Sequence, residues 1–455
     1  MEFSRRVTGL IIVLWFFLPV VVCGQRVVTL SPAKNYLPYD ISVGINPRNL
    51  NHVIVMAKRQ KFKVEGVSSH LFTSLDGGIT WAESDLSESD ENGFGSGTIG
   101  FDADGAPVRC YLPLQRDLRS DESHLADRIF IRKSTVNGEK WGAPVAVWKG
   151  DEGSPTFESR PWFVIDRMES SSHLENVYVS WTRFEQFPGG GKPGKSHVMF
   201  SRSVNGGSVF QPPVQVSDRG GDCQNDDHSL RSGIPATSLR GEIYLVWSGP
   251  RGLEFDSSTD GGNSWGKDRV IAETPGGWKT DVMGLKRHHG FPVTCVDQSA
   301  SVFKDSIYVC WVDERNVDKD VFLMASRDRG KTWTRVLRVN NDAERNGADQ
   351  FLCWMAVDPV DGSVNIVFYD RSGLQDGQTG VTLSRSIDGG RSFEQYRIDV
   401  RAFKCNRSVF LGDHIGIDAK GGRVVVAFPH FAEHERLVVS AATFQFSPGK
   451  NTLIR

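Results

Sequence analysis

Arginine and aspartate side chains recur at the turns between the β-like segments of this 455-residue chain. A guanidinium group presents a planar fork of donors that fits a carboxylate or a sulfate, so these arginines suit an anionic ligand. Each position alone also fits an ordinary loop ion pair, and only their convergence would make a binding site. The candidate substrate-binding residues are Arg160, Arg231, Arg315, Arg371, Asp40 and Asp413.

Proton transfer or nucleophilic attack requires a second set of residues. Tyr369 lies just past an aromatic strand and is followed by Asp370 and an arginine. Such a tyrosine can act as a nucleophile if a carboxylate relays its proton. It can equally act as the acid of a polysaccharide lyase, with His228 or His289 removing the proton beside a uronate carboxylate. The candidate catalytic residues are therefore Tyr369, Asp370, His228 and His289.

The cysteines and histidines predict no cofactor. Six cysteines follow residue 24, which permits up to three disulfides, and no Cys-x-x-Cys pair marks a local zinc or redox site. Cys353 and Cys405 are the candidate disulfide, with a pair of buried thiols as the alternative. A divalent ion beside Asp227, His228 and His289 is a further alternative, although no ligand spacing establishes such a site.

A repeated motif supplies the framework for these residues. Ser74-Leu-Asp-Gly-Gly-Ile-Thr-Trp81 recurs in six copies, here called boxes, whose starts lie 60, 69, 55, 68 and 60 residues apart. The copy at 134–141 is degenerate. The boxes occupy residues 74–81, 134–141, 203–210, 258–265, 326–333 and 386–393.

A second repeated column predicts seven units. Short β-branched and aromatic runs such as Val177-Tyr-Val-Ser-Trp181 follow an acidic or small polar turn in every unit. The last unit has three strands and no box, and Arg26-Val-Val-Thr-Leu30 can supply its fourth strand. Repeats of about 60 residues with four strands each indicate the blades of a β-propeller. We therefore predict an all-β, seven-bladed β-propeller that forms one domain over residues 25–455, with six blades as the fallback.

This topology predicts where the candidate residues meet. In a propeller, the loops that enter each innermost strand open on the same face as the loops that leave each second strand. Both sets of candidate residues occupy these loops in most units, so the titratable groups are expected around the axis on one face. The predicted site is this axial rim.

Composition and the N-terminus narrow the classes of function. The 53 Lys and Arg residues against 55 Asp and Glu residues give a formal charge of −2, unlike the basic footprint of a nucleic-acid binder. Residues 1–24 combine two arginines with a 13-residue apolar run and small residues before a cleavage site, which predicts a signal peptide. No later segment has the length of a membrane span. We expect a secreted or periplasmic protein.

The box Ser-x-Asp-x-Gly-x-Thr-Trp resembles the Asp-box, or BNR, repeat, whose best-known carriers are sialidases. The resemblance covers essentially residues 26–445 and implies that each box is a structural turn between the third and fourth strands of a blade. Sialidases hold the substrate carboxylate with three arginines. At the position of the first, this chain has Leu37-Pro-Tyr-Asp-Ile41, with Asp40 near the expected arginine. The chain therefore departs from an orthodox sialidase.

Taken together, these patterns indicate an exported carbohydrate-active enzyme that resembles sialidases in fold and cleaves an acidic oligo- or polysaccharide by glycoside hydrolysis at the axial face. Two alternatives stay open. One is a polysaccharide lyase acting on a uronate glycan, and the other is a non-catalytic propeller that binds glycan or protein through the same face.

Overall fold

The computed structural model describes residues 24–30, 36–61, 67–86, 94–113, 128–150, 156–186, 194–433 and 436–454. The predicted signal peptide, residues 1–24, lies outside these residues except for Gly24. The part of the chain that the structure describes contains no helix with the length and hydrophobicity of a membrane span. It consists of 32 strands in seven antiparallel sheets, which confirms the predicted all-β, seven-bladed propeller.

The N-terminal strand and the first three blades follow the repeat order. The N-terminal strand is β1 (Gln25–Thr29). Blade 1 contains β2 (Tyr36–Ile45), β3 (Val53–Lys61), β4 (Val67–Ser74) and β5 (Ala82–Asp85). Blade 2 contains β6 (Phe94–Phe101), β7 (Pro107–Pro113), β8 (Ile129–Val136), β9 (Lys140–Trp141) and β10 (Val145–Trp148). Blade 3 contains β11 (Phe157–Ile165), β12 (Val177–Phe184), β13 (Lys195–Ser203), β14 (Val214–Gln215) and β15 (Gly221–Asp222).

The last four blades repeat the same meander. Blade 4 contains β16 (Arg231–Ser232), β17 (Ala236–Thr237), β18 (Ile243–Gly249), β19 (Gly252–Ser258) and β20 (Arg269–Ala272). Blade 5 contains β21 (Val293–Val296), β22 (Ile307–Asn316), β23 (Asp318–Ser326) and β24 (Leu337–Arg338). Blade 6 contains β25 (Gln350–Val357), β26 (Val364–Asp370), β27 (Gln378–Ser386), β28 (Glu394–Arg397) and β29 (Phe403–Lys404). Blade 7 contains β30 (Gly416–Lys420), β31 (Arg423–Phe431) and β32 (Leu437–Gln445).

The first strand of the chain closes the ring. Strand β1 pairs antiparallel with β32, so it becomes the outer strand of blade 7, as the sequence predicts. The N–H of Leu30 donates to the carbonyl of Val439 (2.8 Å), and the Leu30 side chain is buried between blades 7 and 1. Closure of this kind leaves no unpaired junction between the first and last blades.

The hydrophobic core lies between the blades. Seven clusters of buried apolar side chains fill the seven interfaces between neighbouring blades. Strand alternation divides each second strand between two neighbours. In β18, for example, Tyr244 and Val246 face blade 5, whereas Leu245 and Trp247 face blade 3. A cavity of about 250 Å³ lies between the innermost strands.

Each box is a hydrogen-bonded turn that contacts the preceding blade. In the blade 4 copy, the N–H of Gly262 donates to Ser258 Oγ (2.8 Å), and Ser258 Oγ donates to Asp260 (2.8 Å). The ring of Trp265 packs edge-on against Phe200 of blade 3, at 4.9 Å between centroids. The boxes therefore connect neighbouring blades at the ends of the third strands, and none of these contacts involves the axial rim.

The box glycine tests this connecting role. We expect Gly262→Ala to destabilise the fold far more than Gly207→Ala, the same box position in blade 3. Both glycines have left-handed backbones, with φ of +85° and +87°, but a methyl group at Gly262 would overlap the buried Phe200 ring, whereas at Gly207 the nearest atom lies 3.6 Å away. Backbone strain costs about 1–2 kcal/mol in both variants, and overpacking adds about 1–3 kcal/mol at Gly262. Equal losses in urea unfolding would show that the interface tolerates the methyl group.

Candidate functional site

Three innermost strands carry the same backbone irregularity at the axial rim. Asp40, Arg160 and Leu352 have positive φ values of 49°, 54° and 51°. At each of them the register with the second strand of the blade shifts, in β2, β11 and β25 respectively. Bulges of this type re-aim side chains beside sites, and non-glycine residues in the left-handed region persist only when their surroundings impose that conformation.

The carboxylate of Asp413 forms the centre of the site. It lies in the loop that enters β30 and is fully buried. Arg160 from blade 3 and Arg287 from the loop before blade 5 both donate to it, the latter through Nε at 2.8 Å as well as Nη2. The Nδ1 atom of His289 lies 3.2 Å from the same carboxylate. One acidic group thus organises cationic and imidazole side chains from several blades.

A second buried carboxylate holds Asp413 in place. The N–H of Asp413 donates to Asp40 Oδ1 (2.8 Å), and Lys58 Nζ donates to Asp40 Oδ2 (3.0 Å). Asp40 occupies the bulge of β2, and Lys58 pairs with Tyr39 in the register of β3. The blade 1 bulge therefore fixes the backbone of the blade 7 loop that carries Asp413.

Arg231 is a buried cation without a carboxylate partner among the described residues. Its guanidinium group stacks on Phe184 (4.9 Å) and Trp278 (5.3 Å). Nη1 donates to Ser159 Oγ (3.2 Å), whereas Nε has no hydrogen-bond partner in the part of the chain that the structure describes. Burial, with Arg160 as the next cause, lowers the pKa of Arg231 well below its usual value. A buried charge in this state stabilises an anion that enters the site.

We call the groups around Asp413 the axial cluster. Its members are Asp40, Lys58, Arg160, Arg231, Arg287, His289, Asp413 and His414. Burial raises the pKa of Asp413, but Arg160 and the other cationic neighbours outweigh burial and hold that pKa well below its usual value. Burial also acts to raise the pKa of Asp40. The positive charge of Lys58 is the largest opposing effect, and the pKa of Asp40 is lowered overall. Four cationic groups therefore face two ionised carboxylates, which leaves an excess of positive charge.

The histidines of the cluster are neutral. Burial lowers the pKa of His289 to about 4, although Asp413 opposes the shift. His414 is also lowered to about 4 by burial, and it lies between the rings of Trp162 and Trp354. These two tryptophans line the axial cavity, so the cluster lies against one end of that cavity. Because His289 Nδ1 faces Asp413, Nε2 is the nitrogen left for a ligand.

Comparison with known proteins supports the fold and not a family. The sequence matches no protein-family model and no curated protein. A mutant of the NanB sialidase from Streptococcus pneumoniae is similar over 93% of this chain and 95% of that chain, with a TM-score of 0.50 and 10% identity. An ulvan lyase is similar over 91% of this chain and 95% of that chain, with a TM-score of 0.48 and 13% identity. The α-L-arabinanase of Penicillium chrysogenum is similar over 93% of this chain and 98% of that chain, with a TM-score of 0.45 and 13% identity. At these identities the likeness concerns the propeller alone.

The structure corrects the prediction for Tyr369. Its side chain is fully buried in the interface between blades 6 and 7, stacked on Phe351 at 5.3 Å. Its hydroxyl donates to the carbonyl of Pro429 (2.5 Å), and burial raises its pKa well above the usual value. Alternation along β26 places Tyr369 on the same face as the core residue Val367. A phenol held in this way does not reach a substrate as nucleophile or acid.

Three other predicted residues form ion pairs within single blades. Asp370 is buried and accepts from Thr382 and Arg397, at 2.7 and 3.0 Å. Arg371 donates to the carbonyl of Met283 (2.6 Å) and to Asp349 (3.4 Å). Arg315 forms a close bidentate pair with Asp313 in blade 5. No contact among the described residues joins them to Asp413, so the structure assigns them positional roles in blades 5 and 6.

His228 and the predicted disulfide also differ from expectation. The His228 side chain is exposed, and its nearest charged partner is Asp226, 3.6 Å away. With Asp222 these two form a group of ligand atoms within 4.8 Å of one another, and neither Asp227 nor His289 belongs to it. Cys353 lies beside Cys310 rather than Cys405. The sulfur of Cys405 instead lies 3.7 Å from the hydroxyl of Thr379.

Sequence reasoning missed three members or neighbours of the site. Lys58 lies on β3 opposite Tyr39, beside the bulge at Asp40, and the alternation of β3 is the signal that could have identified it. Arg287 and Trp278 lie in the long connection before blade 5, which has no counterpart in the other repeats. Trp278 joins Arg231 to His289, since its ring lies 5.3 Å from the guanidinium carbon and 5.1 Å from the imidazole centroid. An arginine and a tryptophan in such an insertion carry no periodic signal.

The missing counter-charge at Arg231 has a consequence for stability. We expect Arg231→Met to stabilise the unliganded protein by about 1–3 kcal/mol, because it removes a buried, uncompensated charge. Arg385→Met is the matched control. Arg385 is equally buried but donates to Ser363, Asn365 and Asp361. Its loss should destabilise the fold by about 3–5 kcal/mol. Urea unfolding without added anions measures both effects, and a destabilised Arg231→Met would mean that Arg231 is a structural residue.

Proposed function

We propose that this protein is an exported carbohydrate-active enzyme that binds an acidic glycan at the axial cluster. The observation that carries the proposal is the buried guanidinium of Arg231, which has aromatic walls and no carboxylate partner among the described residues. Arg160 and Arg287 add positive charge beside it, and both are already oriented by Asp413. A uronate or sialate carboxylate would supply the missing negative charge, and its planar shape fits the donors of a guanidinium group.

The protonation states favour β-elimination over hydrolysis as the reaction. A glycoside hydrolase needs a carboxylic acid that is protonated near neutral pH. The pKa values of Asp40 and Asp413 are both lowered, so neither is suited to donate a proton. His289 is neutral, and its Nδ1 atom lies 3.2 Å from Asp413, so in this proposal Nε2 is the base that removes the proton next to a substrate carboxylate held by Arg231.

β-Elimination also needs an acid that protonates the departing glycosidic oxygen, and a tyrosine at the rim can supply this proton. Tyr39 precedes the bulged Asp40, and its ring packs against Phe410, 5.2 Å away, on which Arg287 also stacks. Burial raises the pKa of Tyr39, so its hydroxyl stays protonated and can donate to the departing glycosidic oxygen. In this proposal Tyr39 takes the part that the sequence suggested for Tyr369.

A glycan panel with three variants tests the function. We expect uronate polysaccharides to yield unsaturated products, detected by ultraviolet absorbance, and to raise the Tm of the native protein. Arg231→Met should abolish the Tm shift, because the carboxylate loses its partner. His289→Gln should keep binding within a few-fold and lose about 100-fold or more in turnover. Arg48→Met is the control, since the side-chain partners of Arg48 among the described residues are Asp104 and the carbonyl of Ala103, away from the axial cluster.

The alternatives correspond to other outcomes of the same panel. Release of new reducing ends or free sialic acid without unsaturated products would establish hydrolysis. A Tm shift without turnover on any substrate would leave a glycan-binding propeller. The absence of both, with Arg231→Met behaving like the native protein, would contradict the proposed site.

The pH profile follows from His289. As a base it acts only when deprotonated, and burial sets its pKa at about 4 in the free protein. We expect kcat/KM to fall as the pH drops through about 4 and to stay level from about 5 to 7. Steady-state rates on a uronate substrate, with substrate binding measured in parallel, check this. An acidic limb near pH 6.5 would instead indicate an exposed histidine.

A further inference from the structure

Two cysteines from neighbouring blades meet inside the core. Cys310 on β22 and Cys353 on β25 are both buried, and their sulfur atoms lie 3.8 Å apart. Both belong to the cluster that joins blades 5 and 6. Within blade 5 Cys310 pairs in register with Val293 and Leu323, and its side chain packs against residues of blade 6 in this cluster.

The backbone of β25 sets this approach. Cys353 follows Leu352, the left-handed residue of the blade 6 bulge, in the register shift between Phe351 and Trp354. A disulfide has an S–S bond of about 2.05 Å, so the two sulfurs need to approach each other by less than 2 Å to form one. Cys295 donates to the carbonyl of Met355 instead (3.4 Å).

We propose that Cys310 and Cys353 form a disulfide between blades 5 and 6 when the chain folds in an oxidising compartment. Each thiol loses its proton, an S–S bond forms, and two electrons pass to the oxidant. The oxidant is a disulfide-bonded thiol oxidoreductase or a small-molecule disulfide, which is reduced to two thiols. Burial raises the pKa of Cys310 well above its usual value, so the thiolate is disfavoured once the interface has closed.

The disulfide supports the rim as well as the core. It joins two cysteines that are 43 positions apart and closes a segment with the end of the second strand and the third and fourth strands of blade 5. It also fixes the bulge at Leu352, whose N–H donates to His288 Nε2 (3.3 Å), the residue before His289. This role is independent of the reaction proposed for the axial cluster.

Peptide mapping without reductant tests the bond directly. The secreted full-length protein is denatured, its free thiols are blocked with N-ethylmaleimide, and it is digested with trypsin. We expect the peptides 305–315 and 346–371 to appear as one cross-linked species, and Cys110, Cys223, Cys295 and Cys405 to be alkylated. Alkylation of both Cys310 and Cys353, or a bond from Cys353 to Cys405, would overturn the proposal.

Reductant sensitivity provides a second measurement. We expect dithiothreitol to lower the Tm of the native protein by roughly 3 °C or more. The double variant Cys310→Ala/Cys353→Ala should show no such shift, whereas Cys405→Ser should keep it. If the double variant does not fold, the Cys405→Ser comparison and the peptide map still decide the question. A native protein whose Tm ignores the reductant would count against the disulfide.

Discussion

Pairing of β1 with β32 is the interaction on which the rest of the ring depends. Each blade buries its two faces only against its neighbours, so seven hydrophobic clusters exist only if blade 7 meets blade 1. The first strand of the chain completes the last blade, and Leu30 then inserts between the two ends of the ring. The axial cluster also requires ring closure, because Asp40 of blade 1 accepts a hydrogen bond from the N–H of Asp413 in the loop that enters blade 7.

A closed ring can maintain a site that is costly to assemble. Left-handed backbones at Asp40, Arg160 and Leu352 cost roughly 1–3 kcal/mol each. Arg231 adds a desolvated charge without a counter-ion among the described residues. None of these features helps folding, and the inter-blade clusters outweigh them. Three left-handed residues at register shifts of innermost strands and a buried guanidinium without a carboxylate partner among the described residues lie at the same end of the axis, and this coincidence is why the proposed function is placed there.

The sequence predicts the fold well because the blade is a repeated unit with two independent markers. The spacing of the boxes reveals the length of the repeat, and the aromatic second strands reveal the seventh blade, which lacks a box. The site is predicted in part for the same reason. Topology alone brings Asp40, Arg160, Arg231, His289 and Asp413 to one face, and these are the residues that the structure gathers there. Left-handed conformations at Asp, Arg and Leu leave no mark in the sequence, so the bulges that aim two of these side chains were beyond prediction.

The errors have a physical cause in strand alternation. Tyr369 follows the aromatic column by one position and therefore looks like a rim residue. In an antiparallel blade that position faces the next blade, so the tyrosine enters the core with Val367. The opposite error concerns Lys58, which was not predicted as a rim residue although its side chain contacts Asp40. Asp370, Arg371 and Arg315 show a different limit, because a charged residue at a strand end pairs within its own blade when a partner is near.

In the proposed function, Asp413 is the reason why the cluster selects an anion instead of remaining a closed ion-pair network. One carboxylate can satisfy two guanidinium groups, and Asp413 is occupied by Arg160 and Arg287. It fixes their positions without neutralising the whole cluster, while Phe184 and Trp278 shield Arg231 from water. A neutral sugar hydroxyl could accept a hydrogen bond there but would leave the charge uncompensated. A carboxylate supplies both the hydrogen-bond acceptor and the negative charge, and in a water-poor site the charge contributes more to the binding free energy. In the proposed reaction, the cations that bind the substrate carboxylate also withdraw electrons from the adjacent carbon, which is the activation that proton removal by a weakly basic imidazole requires.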